Sequence, residues 1–185
     1  MTTHRSNRLA LAGVAAIALS SAACAPGISV GVNTATDLKP AVYRTFTWDL
    51  PDQFPAGDPR LDNNVVFRDH LQGAIARELK GRGFMSTDGK PDLLVHYHAS
   101  IRQQVDMNGA DQKKGYEVGY DSAARPYLFD EGTLTIDVID AHTNRLVWRG
   151  WAERSLDGAI NDQAWLERRI DDTVARILTR MPGKL

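Results

Sequence analysis

The stretch DLLVHYHASIRQQVDM, residues 92–107, decides the fold class of this 185-residue chain. Its odd positions are apolar, interrupted only by Gln103, and its even positions are polar. The odd set comprises Leu93, Val95, Tyr97, Ala99, Ile101, Val105 and Met107. Because successive side chains of a strand point to opposite faces, this alternation predicts one buried and one wet face. Such a strand is typical of an antiparallel sheet that is covered on one side.

Four further segments are predicted as strands, from weak alternation or from their β-branched and aromatic residues. They are residues 28–32, 43–51, 127–139 and 145–154. The sequence DAHTN, residues 140–144, is the expected turn between the last two strands.

Two segments change to the spacing of an amphipathic helix, with apolar side chains three or four positions apart. Residues 62–80 contribute Phe67, Leu71, Ala74, Ile75 and Leu79, and residues 161–180 contribute Leu166, Ile170, Val174, Ile177 and Met181. Asp62 or Asn63 can cap the first helix, and the glycines of GRG after Lys80 favour its end.

The predicted order is therefore two strands, a helix, three or four strands and a helix. It favours an α+β fold, a mainly antiparallel β-sheet with two amphipathic helices packed on one face. A parallel α/β fold fits less well, because residues 92–155 contain no helix to cross over. We expect a single domain of this kind at 37–185.

The first residues have the composition of a targeting segment. Arg5 and Arg8 precede an 11-residue apolar run, Leu9 to Leu19, and small residues follow it. This order is typical of a secretory signal. Eleven residues are too few to span the roughly 30 Å of a bilayer core, so a permanent transmembrane helix is not expected.

Cys24, the single cysteine, follows that segment directly in LSSAACAP, residues 19–26. The stretch resembles the lipobox of bacterial lipoproteins, although Ser21 stands where Leu, Val or Ile is common. The resemblance implies a signal peptide at 1–23 that signal peptidase II removes before Cys24, and three acyl chains on that cysteine, palmitate among them. It also implies a lipidated N-terminus and tether at 24–36. Because Ala25 rather than Asp follows, it also implies the outer membrane of a Gram-negative bacterium, facing the periplasm. The alternative is an ordinary secretory signal with an incidental thiol.

The charge balance argues against nucleic acid as a partner. The signal segment holds two of the 22 Lys and Arg but none of the 23 Asp and Glu, so the rest of the chain is acidic. No basic cluster overrides this balance.

Several blocks of the sequence resemble one family when taken in order. They are VYRTFTWD (42–49), RELKGRGF (77–84), DLLVHYH (92–98), GTLTIDVIDAHTNRLVWRGWA (132–152) and a last helix ending in MP. They are similar to the bacterial lipoproteins grouped as domain of unknown function 4136, over roughly residues 30 to 182. The resemblance implies a lipid-anchored envelope protein without known catalytic residues.

His96 and His98 are the weak candidates for a metal site. Two residues apart on a strand, they share a face and could ligate zinc if Asp137, Asp140 or His142 supplied a third ligand. The alternative, which we favour, is a wet sheet face that Ser100 and Arg102 continue. We therefore expect no metal and no cofactor.

Catalytic signatures are missing from the sequence. No serine has the flanking glycines of a nucleophile elbow, and no Walker A or dinucleotide-binding motif occurs. Asp137 and Asp140 could form an acid–base pair, but acidic residues near a strand end are more often turn formers. We expect a non-enzymatic binding or structural module, and the alternative is a periplasmic metal-binding protein or hydrolase that uses His96 and His98.

Partner contacts are expected at two places. The polar segment 108–126 carries Tyr116 and Tyr120, each after a glycine, and either serves a partner or is a hairpin tip without a role. Only one of Trp148 and Trp151 can face inward in a regular strand, and an outward Trp151 would suggest an interface. Besides the membrane at Cys24, we expect an envelope protein, a lipid or a glycan.

Overall fold

The structure is a computed structural model that describes residues 27–36, 43–49, 61, 64–106, 127–156 and 162–182. Its elements in chain order are β1 Ser29–Thr34, β2 Thr45–Trp48, α1 Val65–Gly81, β3 Met85–Ser86, β4 Leu93–Asp106, β5 Tyr127–Asp140, β6 Arg145–Ser155 and α2 Gln163–Thr179. The two-residue strand β3 is the one strand among them that the sequence patterns do not predict.

The described strands form one six-stranded sheet in the order β1-β6-β5-β4-β2-β3. Strands β4, β5, β6 and β1 pair antiparallel, whereas β2 runs parallel to both β3 and β4. The α+β prediction is confirmed, and the sheet is mixed rather than purely antiparallel. The parallel pairs arise because α1 carries the chain back between β2 and its neighbours, as parallel connections require.

Strands β4 and β5 form a hairpin that extends past the rest of the sheet. They pair over all 14 residues of each, but β6 pairs with β5 only as far as Glu131. On the extension Val105 is 49% and Leu128 is 54% exposed. The prediction that Val105 belongs to the buried face is therefore wrong, because the alternation continues beyond the part of the sheet that the helices cover. Met107 lies outside the described residues.

Side-chain caps fix the start of both helices. The Asn64 side chain accepts a hydrogen bond from the backbone N–H of Phe67 at 3.0 Å, so the cap of α1 is Asn64 and not the predicted Asp62 or Asn63. Asp162 accepts from the N–H of Trp165 at 2.9 Å in the same way. After α1, Gly83 has φ +92°, a conformation that glycine adopts without strain and that ends the helix as predicted.

Both helices pack on one face of the sheet, as predicted. Their apolar residues, including Leu79, Val174 and Ile177, share a core with buried strand side chains that include Phe46, Val95, Ile136, Val138 and Trp148. Trp148 is fully buried there. Gly150 is required beside it, since an added Cβ would overlap the Trp148 ring and Ile177. No helix in the described part of the chain is long and apolar enough to cross a membrane.

Candidate functional sites

The sheet has a covered face, which packs against α1 and α2, and an open face on its other side. Along β6 the two faces alternate. Trp148, Gly150 and Ala152 belong to the covered face, and Arg149 and Trp151 to the open face. Candidate residues therefore separate into two sites on opposite sides of the same strands.

On the open face, strand register brings one predicted histidine beside a predicted acid. His96 pairs with Asp137 of β5, and His98 pairs with Thr135. Arg149, however, holds both oxygens of the Asp137 carboxylate, with Nε and Nη2 each donating at 2.6 Å. This pairing raises the pKa of the Arg149 guanidinium through its hydrogen bond with Asp137. A metal ion could therefore bind the Asp137 carboxylate only by displacing Arg149.

The other expected ligands lie in the turn between β5 and β6. Asp140 accepts backbone hydrogen bonds from His142 at 2.7 Å and Thr143 at 2.8 Å, and the Tyr43 hydroxyl donates to it at 2.8 Å. Partial burial raises the pKa of Asp140, but these hydrogen bonds outweigh it and hold the pKa at about 2. Burial and the bond to Asp140 raise the pKa of Tyr43 to about 12. The Asp140 carboxylate therefore stabilises the turn between β5 and β6.

The described residues contain no group of three His, Cys, Asp or Glu side chains that could hold a metal ion. Asp137 and Asp140 also have different partners, because one pairs with Arg149 and the other accepts backbone hydrogen bonds in the turn.

Trp151 is the outward-facing tryptophan. It lies across from Gly31 of β1, where an added Cβ would overlap the indole, so the ring lies directly over the glycine. The indole is half-buried in this position. The other expected contacts, Tyr116, Tyr120 and the lipidation residue Cys24, lie outside the described residues and stay predictions.

On the covered face, a cavity lies between the sheet and the first turns of both helices. Its volume is about 70 Å³, and it is partly open to solvent. The floor is made of small residues, Ala99, Gly132 and Ala152, and a Cβ at Gly132 would lie 3.0–3.2 Å from the Leu156 side chain. The apolar walls are Leu61, Phe67, Leu71, Ile101, Leu134, Leu156, Leu166 and Ile170.

Two arginines line this apolar cavity. Arg154 is 8% exposed, and its Nη1 donates to Asp172 at 3.0 Å and to Thr173 at 3.1 Å. Burial and the nearby charge of Arg169 lower the pKa of Arg154. Arg169 stacks over the Trp165 ring at 4.0 Å.

Sequence reasoning missed this cavity and both arginines. Two signals were present in the sequence. Small residues stand at inward positions of three strands, and a charged Arg154 stands at an inward position of β6. Neither signal identifies a cavity until the register places these residues side by side.

The family of the chain follows from its sequence and agrees with its fold. The family described as Domain of unknown function (DUF4136) matches residues 30–183, and the chain belongs to it. The resemblance expected from the sequence blocks is confirmed. None of the curated proteins compared with the chain matches it.

Several solved structures are similar to this chain, and three of them illustrate the range. A PDZ domain protein from Parabacteroides distasonis has 19% identity and a TM-score of 0.55, and the match covers 84% of this chain but 36% of that one, so this chain corresponds to only part of that protein. A DUF4136 family protein from Bacteroides thetaiotaomicron has 12% identity and a TM-score of 0.51, covering 84% and 96%. A minor lipoprotein from Acinetobacter baumannii has 14% identity and a TM-score of 0.44, covering 75% and 92%. The first two similarities concern the fold alone.

Proposed function

We propose that this chain is a lipid-anchored envelope protein, held in the outer membrane through Cys24 and facing the periplasm. In this proposal the domain that follows is a non-enzymatic binding module. The anchor is supported by the sequence, where a short signal ends at the single cysteine. A lone cysteine has no disulfide partner in an oxidising compartment, so a covalent lipid accounts for it.

The binding role is carried by the cavity on the covered face. Its walls are apolar with a few polar groups, which is the composition typical of small-molecule sites. The polar groups among the described lining residues are arginines and hydroxyls. A nucleophile needs an adjacent base, and the Thr173 hydroxyl instead accepts a hydrogen bond from Arg154. This composition favours binding over catalysis.

The alternative, a metal-binding protein or hydrolase using His96 and His98, draws less support from the geometry. Of the candidate third ligands Asp137, Asp140 and His142, Asp140 is hydrogen-bonded within the turn, and the Asp137 carboxylate lies beside His96 across the strands. Because Arg149 occupies both oxygens of that carboxylate, a metal would have to break a bidentate ion pair first.

Mass analysis of the protein extracted from membranes tests the anchor. We expect loss of residues 1–23 and a mass increase from diacylglyceryl and acyl groups on Cys24. Cys24→Ser is expected to leave the protein unprocessed or in the soluble fraction. A wild-type protein with an unmodified thiol in the periplasm would contradict the proposal.

Membrane fractionation tests the location. If the residue after the cysteine directs sorting, Ala25→Asp should move the lipidated protein from the outer to the inner membrane. Ala25→Ser, a matched change without charge, should leave it in the outer membrane. Wild-type protein in the inner membrane would refute the outer-membrane assignment while leaving the lipid anchor intact.

A further inference from the structure

The cavity on the covered face contains a buried guanidinium whose hydrogen bonding is incomplete. Arg154 lines the cavity and is 8% exposed, and its Nε is buried without a hydrogen-bond partner in the described part of the chain. A buried donor without an acceptor is destabilising, and more so when it carries charge. An acceptor that entered the cavity would remove this cost.

Positive charge exceeds negative charge around that guanidinium. Asp172 is shared, since one oxygen accepts from Arg154 at 3.0 Å and the other from Arg176 at 2.8 Å. Arg169 also lines the cavity, and no ion pair to a carboxylate is found for it among the described residues. Arg169 and Arg176 therefore both lie near Arg154, and Asp172 is the one carboxylate that pairs with any of the three among the described residues. The missing complement is an anion.

We propose that this cavity binds a single-chain aliphatic carboxylate, with its chain against the apolar walls and its head group between Arg154 and Arg169. The proposal rests on the binding module proposed above and names its ligand class. A carboxylate is planar, and its two oxygens match the edge of a guanidinium. It brings one negative charge into a desolvated site, whereas a phosphate head group is larger and brings more.

The lining of the cavity favours an aliphatic chain. The small floor residues Ala99, Gly132 and Ala152 leave a space that larger apolar residues of both helices border and that is partly open to solvent. The described lining residues offer no carboxylate or amide side chain to a polar ligand body. An aliphatic chain would bury apolar surface on both partners, which is the favourable term for such a ligand.

Calorimetric titration of the lipidated full-length protein in phosphatidylcholine nanodiscs tests the proposal, with empty nanodiscs as the blank. The ligands are octanoate, octyl phosphate and octanol, which have chains of the same length and different head groups. Octanoate should bind at least about tenfold more tightly than octanol, since a tenfold change corresponds to about 1.4 kcal/mol. Octanoate should also bind more tightly than octyl phosphate.

Variants assign the effect to the cavity. Arg169→Gln should remove most of the preference for octanoate over octanol, whereas Arg149→Gln, the same change on the open face, should preserve it. Arg154→Gln removes a buried ion pair and can prevent folding, so Arg169 carries the test. Ala99→Leu should fill the floor and weaken octanoate and octanol alike.

The outcomes separate this inference from the proposed function. Equal binding of octanol and octanoate, or equal losses in Arg169→Gln and Arg149→Gln, would refute the carboxylate site but leave a binding module. Tighter binding of octyl phosphate would overturn the choice of head group. If none of the three ligands bound, the proposed binding module would itself fail.

Discussion

The two faces of this sheet are built from similar parts and arranged in opposite ways. Each face places a tryptophan from β6 against a glycine, Trp148 beside Gly150 on the covered face and Trp151 over Gly31 on the open face. Each also pairs an arginine from β6 with an aspartate. The similar residue types serve different purposes, because only one face is shielded by helices.

The ion pairs show the difference most clearly. On the open face the acid is the shielded partner, with the Asp137 side chain 11% exposed and Arg149 47% exposed. On the covered face the arginine is shielded, with Arg154 8% and Asp172 41% exposed. A half-exposed arginine can turn to water when its partner is lost, whereas a buried one cannot. The covered face therefore holds a charge that depends on its neighbours.

The largest expected effect separates the two tryptophans. Trp148→Ala should lower the free energy of unfolding by about 3–5 kcal/mol, because it opens a cavity in a fully packed core. Trp151→Ala should cost roughly 1 kcal/mol, since a half-buried side chain leaves a space that water can enter. Urea unfolding of both variants measures the difference.

A matched variant refines this test. Trp148 Nε1 is buried without a hydrogen-bond partner in the described part of the chain. Trp148→Phe keeps most of the packing and removes that donor, so it should cost less than Trp148→Ala. Equal losses for Trp148→Ala and Trp151→Ala would show that the open face is as well covered as the other.

The second expected effect separates the two aspartates. Asp172→Asn should cost about 2 kcal/mol, because it leaves the buried Arg154 charge without its counter-ion. Asp137→Asn should cost about 1 kcal/mol, since Arg149 can reach water. Thermal or urea unfolding at neutral pH compares the two.

Arg176→Gln is the control, because Asp172 also pairs with Arg176 on the surface at 2.8 Å. Exposed pairs of this kind contribute only about 0.3–0.5 kcal/mol, so the control should account for a small part of the loss. A greater cost for Asp137→Asn than for Asp172→Asn would reverse the proposed difference between the faces.

The contrast also explains how far the sequence could predict this structure. Alternation in β4 assigns Val95 and Ile101 correctly, because each of them lies where a helix covers the sheet. It fails at Val105, because no local pattern tells how far a helix reaches. The helix faces are predicted well since a spacing of three and four is a local property.

The cavity could not be predicted because it depends on register across three strands. Ala99 pairs with Leu134, and Leu134 pairs with Ala152. Gly132 lies between Ile101 and Arg154 in the next row. Hydrophobic pattern and turn geometry together set strand register, and a single sequence contains neither turn geometry nor the bulge near Val138. The sequence therefore shows that Arg154 stands at an inward position, but it does not show which residues of the neighbouring strands lie beside it.

The smallest expected effect concerns the histidines of the open face. His96→Gln combined with His98→Gln should change the free energy of unfolding by less than about 0.5 kcal/mol, because glutamine keeps a hydrogen-bonding group at two half-buried positions. Metal content, measured by plasma mass spectrometry, should be the same in wild type and variant.

Arg149→Gln is the variant to compare with the histidine variant, since it would release the Asp137 carboxylate beside His96. Zinc that bound only to Arg149→Gln would show that the ion pair is what closes the site. Stoichiometric zinc in the wild type that disappeared in the double histidine variant would instead show that the open face is a metal site. Zinc would then have to displace Arg149 from the Asp137 carboxylate.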